Sequence, residues 1–491
     1  MSSRVRGDFD RSPTRKAKAG VSRQQSMMST RRQKKGKRRR SRIHQLGLVA
    51  LIAFIFLTPD AKKFMLSKWA EMQEYVMDGL APFQVYPLEA EYTVLRSVDL
   101  WNNGSQVGSL EEAIPLPVDV SSNEGGGVAL DYIDEPDVQK STIQKISSVE
   151  LRIDGDVISI PADGLPHKGK NDAVVTSAGN LVWWPSQGQG SDLCGHGPCV
   201  RVSVDVPPGT QSGFDLAVTL HSYTHTWWHS TRMDGRIVGK SEGVSLERSG
   251  TFADIDERGQ GHRSNTFADE KWWYDRNAGS SPEDWAIDGR QSRAPNVYQV
   301  ASSIEANLPA NLKDNVYAYA RATFDWLNTN IPYDTMAPIV ARSGEQCLVY
   351  GAGDCDEQSN AFMSIMRVKN VPTWYVFGAL ADSQYETWQG HAWAYILIPM
   401  SDEWCNERGI NLDSCYVEGS VDVVNHKWLV HTPTAYIDWV EQAPWSNVDS
   451  YYSGGTMYGS DFSRTRSFQT DGPVNYIGGT WNNKWVGEDL S

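Results

Sequence analysis

The chain has no uninterrupted apolar stretch as long as the about 20 residues that a comfortable membrane span needs. It also has no internal repeat of fixed period, which argues against a repeat architecture. Acidic side chains are nearly missing from its start: residues 1–44 hold 16 Lys and Arg against 2 Asp and Glu. The remaining residues hold 30 against 58, so tail and body are two different electrostatic objects. Cysteine is scarce, with six in 491 residues. With 40% hydrophobic and 22% charged residues, the chain is neither disordered nor fibrous, and it is long enough for two or three ordinary domains.

The basic block, residues 1–43, is rich in Ser, Gln and Gly and lacks apolar periodicity, so it reads as a disordered cytoplasmic tail. Alone it could bind nucleic acid. It precedes Leu46–Leu57, however, an uncharged apolar run bounded by Pro59, Asp60, Lys62 and Lys63, and basic residues ahead of such a run set a cytoplasmic N-terminus. No small-x-small cleavage site follows, and the lead is long for a secretory signal. Residues 44–60 therefore read as an uncleaved transmembrane signal-anchor, and the expected partners are a membrane and not nucleic acid. A soluble form released by cleavage is the rival. Residues 61–85 carry Phe64, Leu66, Trp69, Met72, Val76 and Leu80 at amphipathic-helix spacing. Everything beyond is expected to be extracytoplasmic, on a single-pass cell-membrane protein. Cys194 with Cys199 and Cys405 with Cys415 could then close small disulfide loops.

From Tyr86 the pattern changes to period two. Val149–Ile153, Asp154-Gly155 and Asp156–Ile160 predict two strands and a tight turn, and Val200, Val202, Val204 and Val206 alternate strictly. Residues 86–250 are expected to be a β-sandwich and 251–300 a linker. In residues 301–443, helical spacing at Val316, Tyr317, Ala320, Phe324 and Leu327, a second helix after Gly353, and strands at Thr373–Leu380, His391–Pro399 and Lys427–Thr432 describe an α+β domain. Residues 444–491 read as an irregular tail.

Chemistry concentrates at Gly351-Ala-Gly-Asp-Cys355, a cysteine on a glycine-rich turn at the start of a helix. The free N–H groups and partial positive charge there favour a thiolate and could hold an oxyanion. Gly390-His391-Ala-Trp393-Ala-Tyr395 follows, with His391, Trp393 and Tyr395 on one strand face. A cysteine at a helix start, or a histidine on a strand, is by itself more often structural than catalytic. The pair carries the meaning.

Gly-Asp-Cys at a helix start, then Gly-His-Ala-Trp on a strand, resembles the transglutaminase-like superfamily, especially its membrane-attached prokaryotic members. Asn330-Ile-Pro-Tyr333, Glu357 and Val371-Pro-Thr373 add to the resemblance, which covers about residues 301–440. It implies a papain-like core in which Cys355 attacks an amide or carboxamide carbonyl, His391 moves the proton, and an acidic residue on the next strand orients His391. Water or an amine would resolve the acyl-enzyme, giving hydrolysis, deamidation or a crosslink. The expected substrate is a protein or peptide, with no cofactor and no metal. One position departs from the pattern: where the family has its acidic residue, Trp428-Leu-Val-His431-Thr-Pro-Thr434 places a histidine. His431 is thus the expected third member, with Asp422 and Asp438 as nearby substitutes. A catalytically inactive binding or scaffold protein is the alternative reading.

Other signals are weaker. Cys194-Gly-His196-Gly-Pro-Cys199 suits a disulfide loop better than zinc. His221, His225 and His229 alternate on a strand whose four-residue steps, about 13 Å, are too long for a shared metal. Asp254-Ile-Asp256 begins like a calcium loop but lacks the later oxygen ligands.

Overall fold

The computed structural model describes residues 87–122, 142–188, 190, 192–195, 197–227, 243–255, 294–338, 341–441, 455–459 and 461–478. The basic tail, the 44–60 run, the 61–85 helix, His196 and His229 lie outside these residues. Among the described residues, no helix is long and apolar enough to cross a membrane.

Strands come first: β1 (Pro87–Asn102), β2 (Gly108–Pro115), β3 (Val120–Ser121), β4 (Thr142–Ile153), β5 (Asp156–Ile160), β6 (Val174–Val175), β7 (Leu181–Trp183), β8 (Cys199–Val206), β9 (Thr210–Tyr223) and β10 (His225–Thr226). Helices follow: α1 (Phe252–Ile255), α2 (Pro295–Asn307), α3 (Val316–Asn330), α4 (Gly344–Tyr350) and α5 (Cys355–Arg367). Then come β11 (Thr373–Ala381), β12 (Trp388–Pro399), α6 (Asp402–Arg408), β13 (Tyr416–Asp422), β14 (Lys427–Trp428), β15 (Val430–His431), β16 (Ala435–Val440), β17 (Gly455–Tyr458), β18 (Phe462–Thr470) and β19 (Asn475–Gly478).

One seven-stranded sheet has the order β18-β1-β9-β4-β3, with β19 beside β1 and β5 beside β4. A second, five-stranded sheet runs β17-β2-β8-β7-β6. The alternating valines of β8 are fully buried, and they share one apolar core with Val94, Leu151, Leu216 and Val218 of the first sheet. The β4–β5 turn forms because Asp154 and Gly155 both take positive φ, 56° and 83°, the conformation that a two-residue hairpin requires.

A third, antiparallel sheet, β14-β13-β12-β11-β16, carries the helices. Asn315 caps α3 by accepting the Ala318 N–H, and Val316, Tyr317, Ala320, Phe324 and Leu327 of its periodic face are buried in the same core as Ile365, Trp374 and Ile396. All described residues belong to one compact unit, Ala81–Ser491. Within it, the Gln144 amide both donates to the Ile437 carbonyl (2.8 Å) and accepts the Ile437 N–H (2.9 Å). Arg96 pairs with Asp438 in full burial, and the Tyr92 hydroxyl donates to the Pro433 carbonyl.

Two expectations need correction. The segment read as an irregular tail supplies β17, β18 and β19. The β18 strand is polar, Ser463-Arg-Thr-Arg466, and is held by its ladder with β1 and by Arg464 and Arg466 on the buried Glu112 carboxylate, so no hydrophobic pattern announces it. The expected linker already contains the start of α2: Pro295 opens it, and Glu345 accepts the Asn296 and Val297 N–H groups.

Gly378 lies opposite His391 across β11 and β12, and a Cβ there would sit 1.7 Å from the Tyr436 carbonyl oxygen. Neighbouring backbone must move to admit it. Gly378→Ala is expected to lower unfolding free energy by about 3 kcal/mol, read from urea denaturation; a change below about 0.5 kcal/mol, the scatter of ordinary surface substitutions, would refute this.

Candidate active site

The α5 helix begins at Cys355 because Asp354 caps it. The Asp354 carboxylate accepts the Asp356 N–H (3.1 Å) and the Glu357 N–H (3.3 Å), while Glu357 accepts the Asp354 N–H (3.2 Å), a reciprocal capping box. Glu357, fully buried, also binds Arg342 at 3.1 Å. The Asn330–Tyr333 motif braces the turn from below, with the Gly353 N–H on the Pro332 carbonyl and the Asp334 N–H on the Gly353 carbonyl. A Cβ at Gly353 would approach Cys347 Sγ to 2.8 Å and Glu357 Cβ to 2.9 Å, so only glycine fits there.

His391 enters from β12, 6% exposed, with its ring stacked on Trp393. Its Nε2 lies 2.9 Å from Asp422 Oδ2 on β13. Tyr395 pairs with Ser420, so the two-residue period puts Asp422 on the same sheet face as Trp393 and His391. Asn425 locks the pair: its backbone N–H meets Asp422 Oδ1 (3.2 Å), and its Nδ2 meets Asp422 Oδ2 (2.9 Å). With Nε2–H directed at a carboxylate, Nδ1 is the nitrogen left to take a proton. Ser359 of α5 donates to the carbonyl of Ala392, one residue on, which ties the cysteine helix to the histidine strand.

Residues 303–406 match the model of the transglutaminase-like superfamily. They form a domain of that superfamily. No curated protein matches the chain. Among solved structures, a candidate cysteine protease from Cytophaga hutchinsonii is 12% identical, with 82% of this chain and 95% of that one covered at a TM-score of 0.41. A candidate protease from Parabacteroides distasonis is 8% identical, with 60% and 61% covered at a TM-score of 0.18.

The partner of His391 is Asp422, and His431 stands elsewhere. After β14 the chain leaves the sheet at Leu429, which takes a positive φ of 49°, and β15 pairs with β10, setting His431 opposite His225. The His431 Nε2 lies 3.2 Å from the Ser222 hydroxyl. Burial, then the charge of Lys427, pushes His431 down to about 3, so its ring is neutral at ordinary pH. Asp438 is occupied by Arg96 and Tyr436. The sequence signal for Asp422 was a carboxylate ending the strand after the histidine strand; motif spacing pointed past it to His431.

The Cys355 thiol, partly exposed, is held well above its ordinary range by burial and by the carboxylates of Asp356 and Asp354. Its hydrogen-bond partner is Asp356 Oδ1 at 3.6 Å, an oxygen that Tyr375 fixes with a 2.7 Å bond. Against the expectation that the helix terminus favours a thiolate, burial first and then the adjacent carboxylates hold the thiol up. The resting group is a thiol. Of the first N–H groups of α5, those of Asp356 and Glu357 are taken by Asp354, and that of Cys355 has no acceptor among the described residues.

Asp356→Asn is expected to make the thiol more acidic. Alkylation of Cys355 by iodoacetamide at neutral pH should quicken; an unchanged or slower rate would show that Asp356 does not set the thiol.

Proposed function

We propose that the chain is a membrane-anchored, extracytoplasmic thiol enzyme that acts on amide or carboxamide groups of proteins or peptides. The observation that carries this reading is the His391–Asp422 bond beside the helix that starts at Cys355. His391 Nδ1 takes the thiol proton, and the sulfur, turned from Asp356 toward the ring, attacks the carbonyl carbon. The resulting imidazolium is stabilised by Asp422 across 2.9 Å. The carbonyl oxygen becomes an oxyanion, for which the Cys355 N–H is the uncommitted donor. His391 returns the proton to the departing nitrogen, leaving a thioester that water or an amine resolves.

Asp422 is held below the ordinary carboxyl range by His391, then by Lys427 and Asn425, against the opposite pull of burial. A carboxylate so depressed keeps its charge as pH falls until its lowered folded value is crossed; orientation of His391 is lost only below that point. Cys355→Ala should abolish turnover of a glutamine peptide, weighed with and without a primary amine, and the mass of the product tells crosslinking from hydrolysis. Asp422→Asn should lower kcat/KM by about 100-fold or more, and His431→Gln should leave it within about threefold. Turnover that survives Cys355→Ala rejects the enzyme. An alternative, a binding or scaffold protein that keeps the fold, is favoured by the thiol's contact with Asp356; a Cys355 that resists alkylation at every pH would support it.

The anchor reading rests on the basic block before residues 44–60 and on the acidic remainder. Disulfides Cys194–Cys199 and Cys405–Cys415 agree with an oxidising compartment. The mature protein should stay in carbonate-washed membranes with residues 1–60 attached, and recovery of a soluble form starting beyond residue 60 would overturn the anchor.

A further inference from the structure

A buried ammonium lies beside the His391–Asp422 pair. Lys427 is 6% exposed and sits directly across the β13–β14 ladder from Asp422. Burying an ammonium is costly unless charge or hydrogen bonds compensate. Its Nζ donates to Thr432 Oγ1 at 3.0 Å, and Asp422 is the charge that sustains it. Between Asp422, Lys427 and His431 lies a cavity of ≈ 10 Å³. Asp422 and Lys427 are both buried, so bulk solvent screens the ammonium from the carboxylate only weakly.

Resting on the thiol-enzyme reading, we propose that Lys427 is a positioning residue: a buried ammonium behind Asp422 that sets the pH range in which the Cys355–His391–Asp422 group works. It acts through Asp422 and touches neither sulfur nor substrate. The charged and titratable groups around Asp422 are His391 from β12, Lys427 from β14, His431 from β15 and Cys355 from α5, with the amide of Asn425 closing the turn. His431 stays neutral there, so Lys427 supplies the positive charge on that side. A positive charge makes every nearby protonation harder. Removing it therefore moves both limbs of the pH profile in the same direction, to higher pH.

The test is the pH profile of Cys355 alkylation by iodoacetamide, which needs no knowledge of the substrate, together with the profile of peptide turnover. Lys427→Gln keeps a donor for Thr432 and drops the charge; Lys427→Arg keeps the charge. The Gln variant should shift the whole alkylation profile up by on the order of one pH unit, while the Arg variant superimposes on the parent. A folded Gln variant whose profile does not move overturns the proposal. Should the Gln variant fail to fold, the Arg variant decides alone, since a displaced profile there shows that charge is not what Lys427 contributes. His391→Ala tells failure of the thiol–imidazole pair from failure of Lys427. If it leaves the parent profile unchanged, the thiol–imidazole pair itself is wrong; if it alters the profile while Lys427→Gln does not, only the role of Lys427 falls.

Discussion

The bond between His391 Nε2 and Asp422 Oδ2 is the constraint on which the site depends. It directs Nε2 at the carboxylate, leaves Nδ1 as the nitrogen that can accept a proton and fixes the ring against Trp393. Such a bond holds only if two adjacent strands keep their register. That register is set by the β12–β13 ladder and by the turn in which Asn425 ties both oxygens of Asp422. Gly378, opposite His391, lets β16 close over the same sheet without a side chain in the way.

The second requirement is a thiol at a defined point. The capping box of Asp354 and Glu357, the Arg342 ion pair and the Pro332–Gly353 bridge place Cys355 at the first position of α5. The negative groups needed for that placement have an electrostatic consequence. Asp354 is itself pushed up to about 6 by burial and by Asp356, and together they keep the thiol protonated. Placement and acidity are thus separate here: the helix start positions the sulfur, while burial and the gathered carboxylates raise it.

The contribution of the β-rich part is mechanical. Gln144, Tyr92 and Arg96 reach across to residues 433–438, which run into β16 at the edge of the sheet that carries His391. Buried polar contacts of this kind are directional and costly to leave unmade, so they specify one docking arrangement rather than many. The polar strand β18, clamped by Glu112, adds to the seven-stranded sheet beside β1 from the far end of the chain.

Local patterns in the sequence determined much of this. The strands of β8 and the β4–β5 turn, the helix faces of α3 and α5, and the positions of Cys355 and His391 all follow from periodicity and capping residues within a few positions of one another. Short-range steric and hydrogen-bond preferences act over that distance, so they are legible in one dimension. The third member was not. Whether Asp422 or His431 meets His391 depends on which strand turns aside, and Leu429 sends β15 to pair with β10, some two hundred residues earlier in the chain. Strand β18 was hidden for the same reason, its partners being Glu112 and the β1 backbone. The protonation of Cys355 depends on carboxylates gathered in space and on burial. Those quantities exist only once the chain has folded, because desolvation and Coulomb energy depend on distance through the protein and not along the sequence.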